Sequence, residues 1–155
     1  MKNMVRTVAA VVVFAVAARA LAQQPEPYQA LGAWKLNPGK STGIGSQLSA
    51  KSRIHTIEDH GGGVTVNRIE QINADDSKQT LYYTARSDGT AYPMFSVRAD
   101  GTVQVGTITS TRVDAYTVKW AMKNSDGKVT AEGTRTVSKD GSTYTLGTLV
   151  YDRLK

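Results

Sequence analysis

Residues 126–143 read DGKVTAEGTRTVSKDGST, and this stretch decides the class of fold. An Asp-Gly pair stands at each end, and Asp-Gly is a favoured pair in tight β-hairpin turns. Between the pairs the residues alternate, with threonine and glutamate on one face; the other face carries Val129, Ala131, Gly133, Arg135 and Val137. A period of two, with β-branched residues, indicates an antiparallel strand that is buried on one face only.

The same arrangement repeats along the rest of the chain. Asp-Gly pairs also occur at residues 88–89 and 100–101, between runs rich in Val, Ile, Thr and Tyr. These pairs predict type I′ hairpins, in which both central residues have positive φ. Nine strand candidates follow one another from Leu31 to Tyr151, the last at residues 143–151, and no segment shows a helical period. We therefore expect an all-β fold: an antiparallel up-and-down meander of about 8–10 strands, closed into a barrel because closure removes bare sheet edges.

Residues 1–22 have the pattern of a signal peptide. A positively charged start precedes an apolar run at residues 8–18, and Ala20-Leu21-Ala22 places small residues at a cleavage site. The run is too short for a membrane anchor, because crossing a bilayer takes about 20 residues. We expect cleavage before Gln23, a flexible leader at residues 23–30 and a single barrel domain at residues 31–155. The mature protein is expected to be soluble, and either periplasmic or secreted.

The composition excludes several classes of protein. The chain has no cysteine, which excludes disulfides, thiol catalysis and a lipid-modified cysteine. Three of its 19 basic residues lie in the signal segment, which leaves 16 basic against 13 acidic residues without any charged run. Nucleic-acid-binding proteins usually cluster their basic residues, so we expect no nucleic acid as partner. The sequence carries no indication of an oligomeric state.

The sequence contains no complete motif of catalysis or metal binding. Gly39-Lys40-Ser41 resembles the end of a phosphate-binding loop, but Trp34 occupies the position where that motif needs a glycine. The two histidines, His55 and His60, are too few for a zinc site with three or four ligands. We interpret them as exposed residues of a strand and a turn. We expect no enzymatic activity, no catalytic residue, no metal and no cofactor.

Two features stand out from this background. Gly32-Ala33-Trp34 forms a G-x-W sequence on the first predicted strand, and Arg135 lies on an otherwise apolar strand face. A buried guanidinium needs a partner. Stacking on Trp34, a carboxylate of the chain, or an anionic ligand would each supply one.

The chain resembles lipocalin-like (calycin) proteins, in particular small exported bacterial lipocalin-like domains. The resemblance rests on residues 32–41 (GAWKLNPGKS), 83–93 (YTARSDGTAYP), 135–143 (RTVSKDGST) and the closing Val150-Tyr151. In lipocalins the tryptophan of G-x-W lies at the closed end of the barrel, and an arginine from a late strand packs over it. The resemblance thus implies a structural role for Gly32 and Trp34, with Arg135 as the candidate arginine and Arg153 as the alternative.

A closed barrel of this size leaves room for one small ligand. We therefore expect a soluble exported protein that carries a small, mainly apolar or amphipathic molecule in the barrel interior. The expected ligand-binding residues are Leu81, Tyr83, Val118, Trp120, Met122, Val129 and Arg135. The alternative is an envelope interaction or stress protein whose barrel is filled by its own side chains and holds no ligand.

Overall fold

The computed structural model describes residues 28–42 and 47–155, so the predicted signal peptide lies outside the described residues. Every strand is antiparallel to its neighbours, and the strands follow chain order around the barrel until the last pairs with the first. This confirms the all-β, up-and-down closed barrel. The strands are β1 (Gly32–Leu36), β2 (Ser52–Asp59), β3 (Val64–Ile72), β4 (Lys78–Arg86), β5 (Asp88–Val97), β6 (Val103–Arg112), β7 (Thr117–Asn124), β8 (Val129–Val137), β9 (Thr143–Leu146) and β10 (Leu149–Arg153).

The Asp-Gly turns place only the glycine at positive φ. Between β5 and β6, Gly101 has a φ of 80°, and its N–H donates to the Arg98 carbonyl oxygen over 3.0 Å. The Arg98 N–H donates to the Thr102 carbonyl oxygen over 2.9 Å, which makes a three-residue loop with a bulged glycine. Asp76 is the one non-glycine residue with positive φ in the described part of the chain. The type I′ prediction is therefore wrong; Asp100 instead accepts the Thr102 N–H at its Oδ1 over 2.9 Å.

Two other segments differ from their prediction. The segment from Thr143 to Tyr151, expected to be one strand, forms β9 and β10, because Gly147 takes a φ of 61° and turns the chain. The pair Asp88-Gly89 does not form a tight hairpin. It belongs to β5, at a bulge where the register with β6 shifts between Asp88 and Ala91.

The segment before β1 closes one end of the barrel, which we call the closed end. Tyr28 and Ala30 are buried in the core, and the Gln29 N–H donates to the Ala115 carbonyl oxygen over 3.3 Å. The Arg112 guanidinium lies over the Tyr28 ring, 5.3 Å from its centroid. Residues 28–30 therefore belong to the packed barrel, which corrects the extent of the expected flexible leader. The Tyr28 ring supplies apolar surface that covers this end.

Inside the barrel, a polar layer separates two apolar clusters. The first cluster contains Tyr28, Ala30, Trp34, Leu36, Ile57, Val118, Val137, Tyr144, Leu149 and Tyr151. The second, on β4–β7, contains Tyr83, Ala85 and Ile108, with partly buried Leu81, Tyr92, Met94 and Met122 packed against it. The buried polar side chains are His55, Asn67, Gln71, Ser110 and Arg135.

Gly106 marks a close approach between β6 and the end of β7. A Cβ at this position would collide with the backbone oxygen of Lys123 and would lie 3.2 Å from the Met94 Cε. We expect Gly106→Ala to lower the free energy of unfolding by about 1–3 kcal/mol, the usual cost of overpacking. Gly39→Ala is the control, because its Cβ would meet the Asn37 Oδ1 at an ordinary 3.4 Å. Urea denaturation followed by circular dichroism measures both; equal stability of the two variants would contradict the close approach.

Candidate functional site

Several cavities open at the end of the barrel opposite the closed end, which we call the open end, and two of them are more enclosed than the others. The larger, of about 680 Å³, lies between β5, β6 and the turn that joins β7 to β8. Its wall includes Met94, Ser96, Gln104, Lys123, Asn124 and Thr130. The smaller, of about 170 Å³, shares Ser96 with the larger and is lined by Arg53, Ile69, Gln71 and Leu81. Ser96 thus lies where the two cavities meet.

Arg135 is the centre of the polar layer. It is 3% exposed, and its Nη1 donates to the Tyr83 hydroxyl over 2.9 Å and to the Asn67 Oδ1 over 3.4 Å. Its Nη2 donates to the Ser110 Oγ over 3.0 Å, whereas its Nε has no partner. These contacts tie β8 to β3, β4 and β6 across the barrel interior.

No carboxylate reaches the Arg135 guanidinium in the described part of the chain. Its hydrogen-bond acceptors are two hydroxyls and an amide oxygen. Burial raises the pKa of Tyr83 and, to a greater extent, that of Tyr144, although the Arg135 charge opposes both shifts. Both phenols are therefore neutral at physiological pH, and the polar layer carries a positive charge that neutral dipoles solvate.

His55 extends the polar layer toward β9. Its Nε2 lies 3.3 Å from the Asn67 Oδ1 and its Nδ1 lies 3.2 Å from the Tyr144 hydroxyl. The amide oxygen accepts only, so the network assigns a neutral ring that donates from Nε2 and accepts from Tyr144 at Nδ1. Burial and the Arg135 charge lower the pKa of His55 to about 3. The interpretation of His55 as an exposed residue is wrong, whereas His60 is exposed as expected.

The expected ligand-binding residues do not form one wall. Leu81 lines the smaller cavity, whereas Tyr83 and Met122 pack in the second cluster. Val118 belongs to the first cluster, and Trp120 lies against Gly133, with its Nε1 buried and without a partner. The structure thus places Val118 in the first cluster, three of these residues in or against the second, Trp120 in neither, and Arg135 in the polar layer.

Val129 is exposed, which corrects its assignment to the interior wall. Its side chain is 45% exposed, and the register of β7 with β8 shifts between Met122 and Lys123. Met122 pairs with Ala131 and Lys123 pairs with Val129, so Thr130 is the extra residue of a bulge. A bulge breaks the strict alternation on which the assignment rested.

The arginine over Trp34 is Arg153 rather than Arg135. The Arg153 guanidinium lies 4.1 Å from the centroid of the Trp34 ring. It also donates to the carbonyl oxygens of Leu31, Gln29 and Gly141 over 2.9, 3.0 and 2.7 Å. These contacts hold the segment before β1 and the β8–β9 turn together at the closed end.

Gly32 provides the space for this contact. Its φ is 123°, and a Cβ there would lie 2.9 Å from the Arg153 Nη1. The backbone conformation therefore favours glycine at Gly32, and a side chain there would displace the Arg153 guanidinium. The structural role predicted for the G-x-W sequence has a physical basis in this contact between β1 and β10.

Sequence reasoning missed the residues that line most of the larger cavity. On β5, the partly buried Met94 and Ser96 alternate with the exposed Phe95 and Val97. That alternation was a signal in the sequence. Gln104 and Asn124 carried none, because their positions depend on where β6 and β7 end relative to each other.

No family model, curated protein or solved structure matches the chain. The closed antiparallel barrel is shown, and membership of the lipocalin-like proteins stays a prediction. Within residues 28–42 and 47–155, no group of three or more histidine or carboxylate side chains is placed to hold a metal ion. In the same ranges, no helix is long and apolar enough to cross a membrane.

Proposed function

We propose that this chain is an exported protein that binds a small, mainly apolar molecule at the open end of its barrel. The observation that carries the proposal is the larger cavity, because its volume of about 680 Å³ suits a small ligand. Met94 gives this cavity an apolar surface. Met94 packs against the second cluster, so that cluster lies behind the cavity wall.

The wall also carries the polar groups that orient a ligand. Ser96, Gln104 and Asn124 offer neutral donors and acceptors, and Lys123 offers a cation at the rim. Small-molecule sites combine apolar surface with placed polar groups, and Met94, Val103 and Val105 supply the apolar part of this wall. The alternative, a barrel filled by its own side chains, suits the first cluster but leaves the two cavities without a role.

Arg135 has a structural role under this proposal. Its two terminal nitrogens already donate to Tyr83, Asn67 and Ser110. It lies behind the cavities and is not among the side chains that line them. We therefore expect the ligand preference to depend on Ser96 and Met94 and not on Arg135.

Binding of a neutral fluorescent probe, N-phenyl-1-naphthylamine, tests the proposal. We expect saturable binding to the wild type and a melting temperature that rises with probe concentration, since a ligand that binds only the folded state stabilises it. Ser96→Trp should abolish both effects, because the new ring fills the junction of the two cavities. Thr84→Trp is the control, at an exposed position of β4.

Circular dichroism must first show that each variant is folded, so that a loss of binding is not a loss of folding. Equal binding by the wild type and Ser96→Trp would place the probe elsewhere and contradict this site. No saturable binding by the folded wild type would overturn the proposal. It would favour the ligand-free interaction protein instead.

A further inference from the structure

The outer surface of the barrel carries an apolar patch on three adjacent strands. Cross-strand pairing places Phe95 beside Tyr82 on one side and Val105 on the other, and it places Val97 beside Val103. These five side chains, which we call the outer patch, are between 43% and 58% exposed. Val103 and Val105 also lie at the edge of the larger cavity. A contiguous exposed apolar patch on a soluble domain usually marks an interaction surface.

Cations surround the outer patch. The strands that flank β5 and β6, namely β3, β4 and β7, carry five exposed cations: Arg68, Lys78, Arg86, Lys119 and Lys123. Glu70 is the one carboxylate on these three strands, and its Oε2 lies 3.4 Å from the Arg68 Nε. Asp88 lies at the closed-end start of β5, and Glu132 lies on β8 opposite Ala121. Asp75, Asp100 and Asp126 lie in turns at the open end beyond the strands.

We propose that this side of the barrel docks onto an anionic lipid bilayer, with the outer patch inserted among the lipids and the flanking cations at the headgroups. Apolar and aromatic side chains insert at the membrane interface, and each cation near an anionic leaflet strengthens binding. The positive charge of this surface favours an anionic bilayer over a second copy of the chain. A two-fold symmetric pairing with a second copy would bring the same cationic surround against itself.

Sedimentation with vesicles tests the charge requirement. The full chain should bind vesicles of phosphatidylcholine mixed with phosphatidylglycerol, bind pure phosphatidylcholine far more weakly, and be released by salt. The double variant Lys78→Gln/Lys119→Gln, which changes two exposed cations that do not line the cavities, should bind the anionic vesicles less tightly by about fivefold per cation removed. Lys35→Gln/Lys139→Gln is the matched control, because it removes two exposed cations outside the flanking strands. All variants carry the same apolar run at residues 8–18, so its contribution is common to all.

A tryptophan at the outer patch tests insertion directly. In Phe95→Trp, the added emission should shift to shorter wavelength with anionic vesicles, whereas Lys35→Trp on β1 should show no shift. Equal binding by both double variants, or equal shifts of both reporters, would overturn the proposal. A dimer in sedimentation velocity that Phe95→Ser abolishes would assign the patch to a second copy and also overturn it. None of these readouts depends on a ligand in the cavity.

Discussion

Trp34→Ala is expected to lower the free energy of unfolding by about 3–5 kcal/mol, the usual cost of truncating a buried aromatic side chain. Trp34 has no exposed surface, and its Nε1 donates to the Ala30 carbonyl oxygen over 2.7 Å. Its ring packs against Tyr144, with 5.4 Å between centroids, and beneath the Arg153 guanidinium. The variant therefore loses a large packed volume together with the contact that joins β1 to β10.

Urea denaturation followed by far-ultraviolet circular dichroism measures this loss. Lys35→Ala is the control at the next position, where an exposed side chain should change stability by no more than about 0.5 kcal/mol. Arg153→Met should fall between the two, because it keeps apolar cover over the ring but loses the charge and three hydrogen bonds. A loss below about 1 kcal/mol for Trp34→Ala would contradict a core role for this residue.

The protein is expected to lose stability as the pH falls below about 6.5, because His55 stays neutral in the fold. Its pKa is lowered from 6.5 to about 3, first by burial and then by the Arg135 charge. Between about pH 6.5 and about pH 3, the unfolded chain binds a proton at His55 that the folded protein does not bind. The free energy of unfolding should therefore fall by up to about 1.4 kcal/mol per pH unit.

Urea midpoints at pH 7, 6 and 5 isolate this effect, since carboxylates titrate mainly below about pH 5. His55→Gln should flatten the profile between pH 7 and 5, because glutamine retains polar contacts to Tyr144 and Asn67 without titrating. His60→Gln should keep the wild-type slope, since that side chain is exposed. A flat profile for the wild type would show that His55 takes up its proton over the same pH range in the folded and the unfolded states, and would contradict its burial as a neutral ring.

The barrel could be predicted from the sequence because each strand is marked by a pattern among neighbouring residues. Alternation along β8 and the recurring Asp-Gly pairs are properties of a few neighbouring residues, and they were enough for fold class and approximate strand number. A structural role for Trp34 was also expected, because its G-x-W sequence resembles that of lipocalin-like proteins. The identity of its arginine was not, because Arg135 and Arg153 both sit on late strands and only the register of β10 with β1 brings Arg153 over the ring.

The candidate site was predicted less well, because it depends on departures from regular strands. Val129 was placed inside by strict alternation, and the β8 bulge turns it outward. His55 lies on β2, which carries Ile54 on one face and Ile57 on the other. The alternation of apolar and polar residues therefore did not show which face is buried. The hydrogen bonds that join His55, Asn67, Ser110 and Arg135 link four strands, and no local spacing encodes them.

The pairing of β1 with β10 has a consequence for how the chain acquires its fold. Leu154 donates its N–H to the Ala33 carbonyl oxygen over 2.8 Å, and Leu36 lies opposite Tyr151, so this seam joins residues more than a hundred positions apart. Contacts of such long sequence separation form slowly, since loop closure precedes any gain from pairing. During synthesis β1 is the first of the ten strands to be made, and Arg153, the residue that holds it, follows only after nearly the whole barrel sequence. A circular permutation that opens the chain at the β5–β6 turn and links Lys155 to Tyr28 would place β10 and β1 next to each other in sequence and make this seam local.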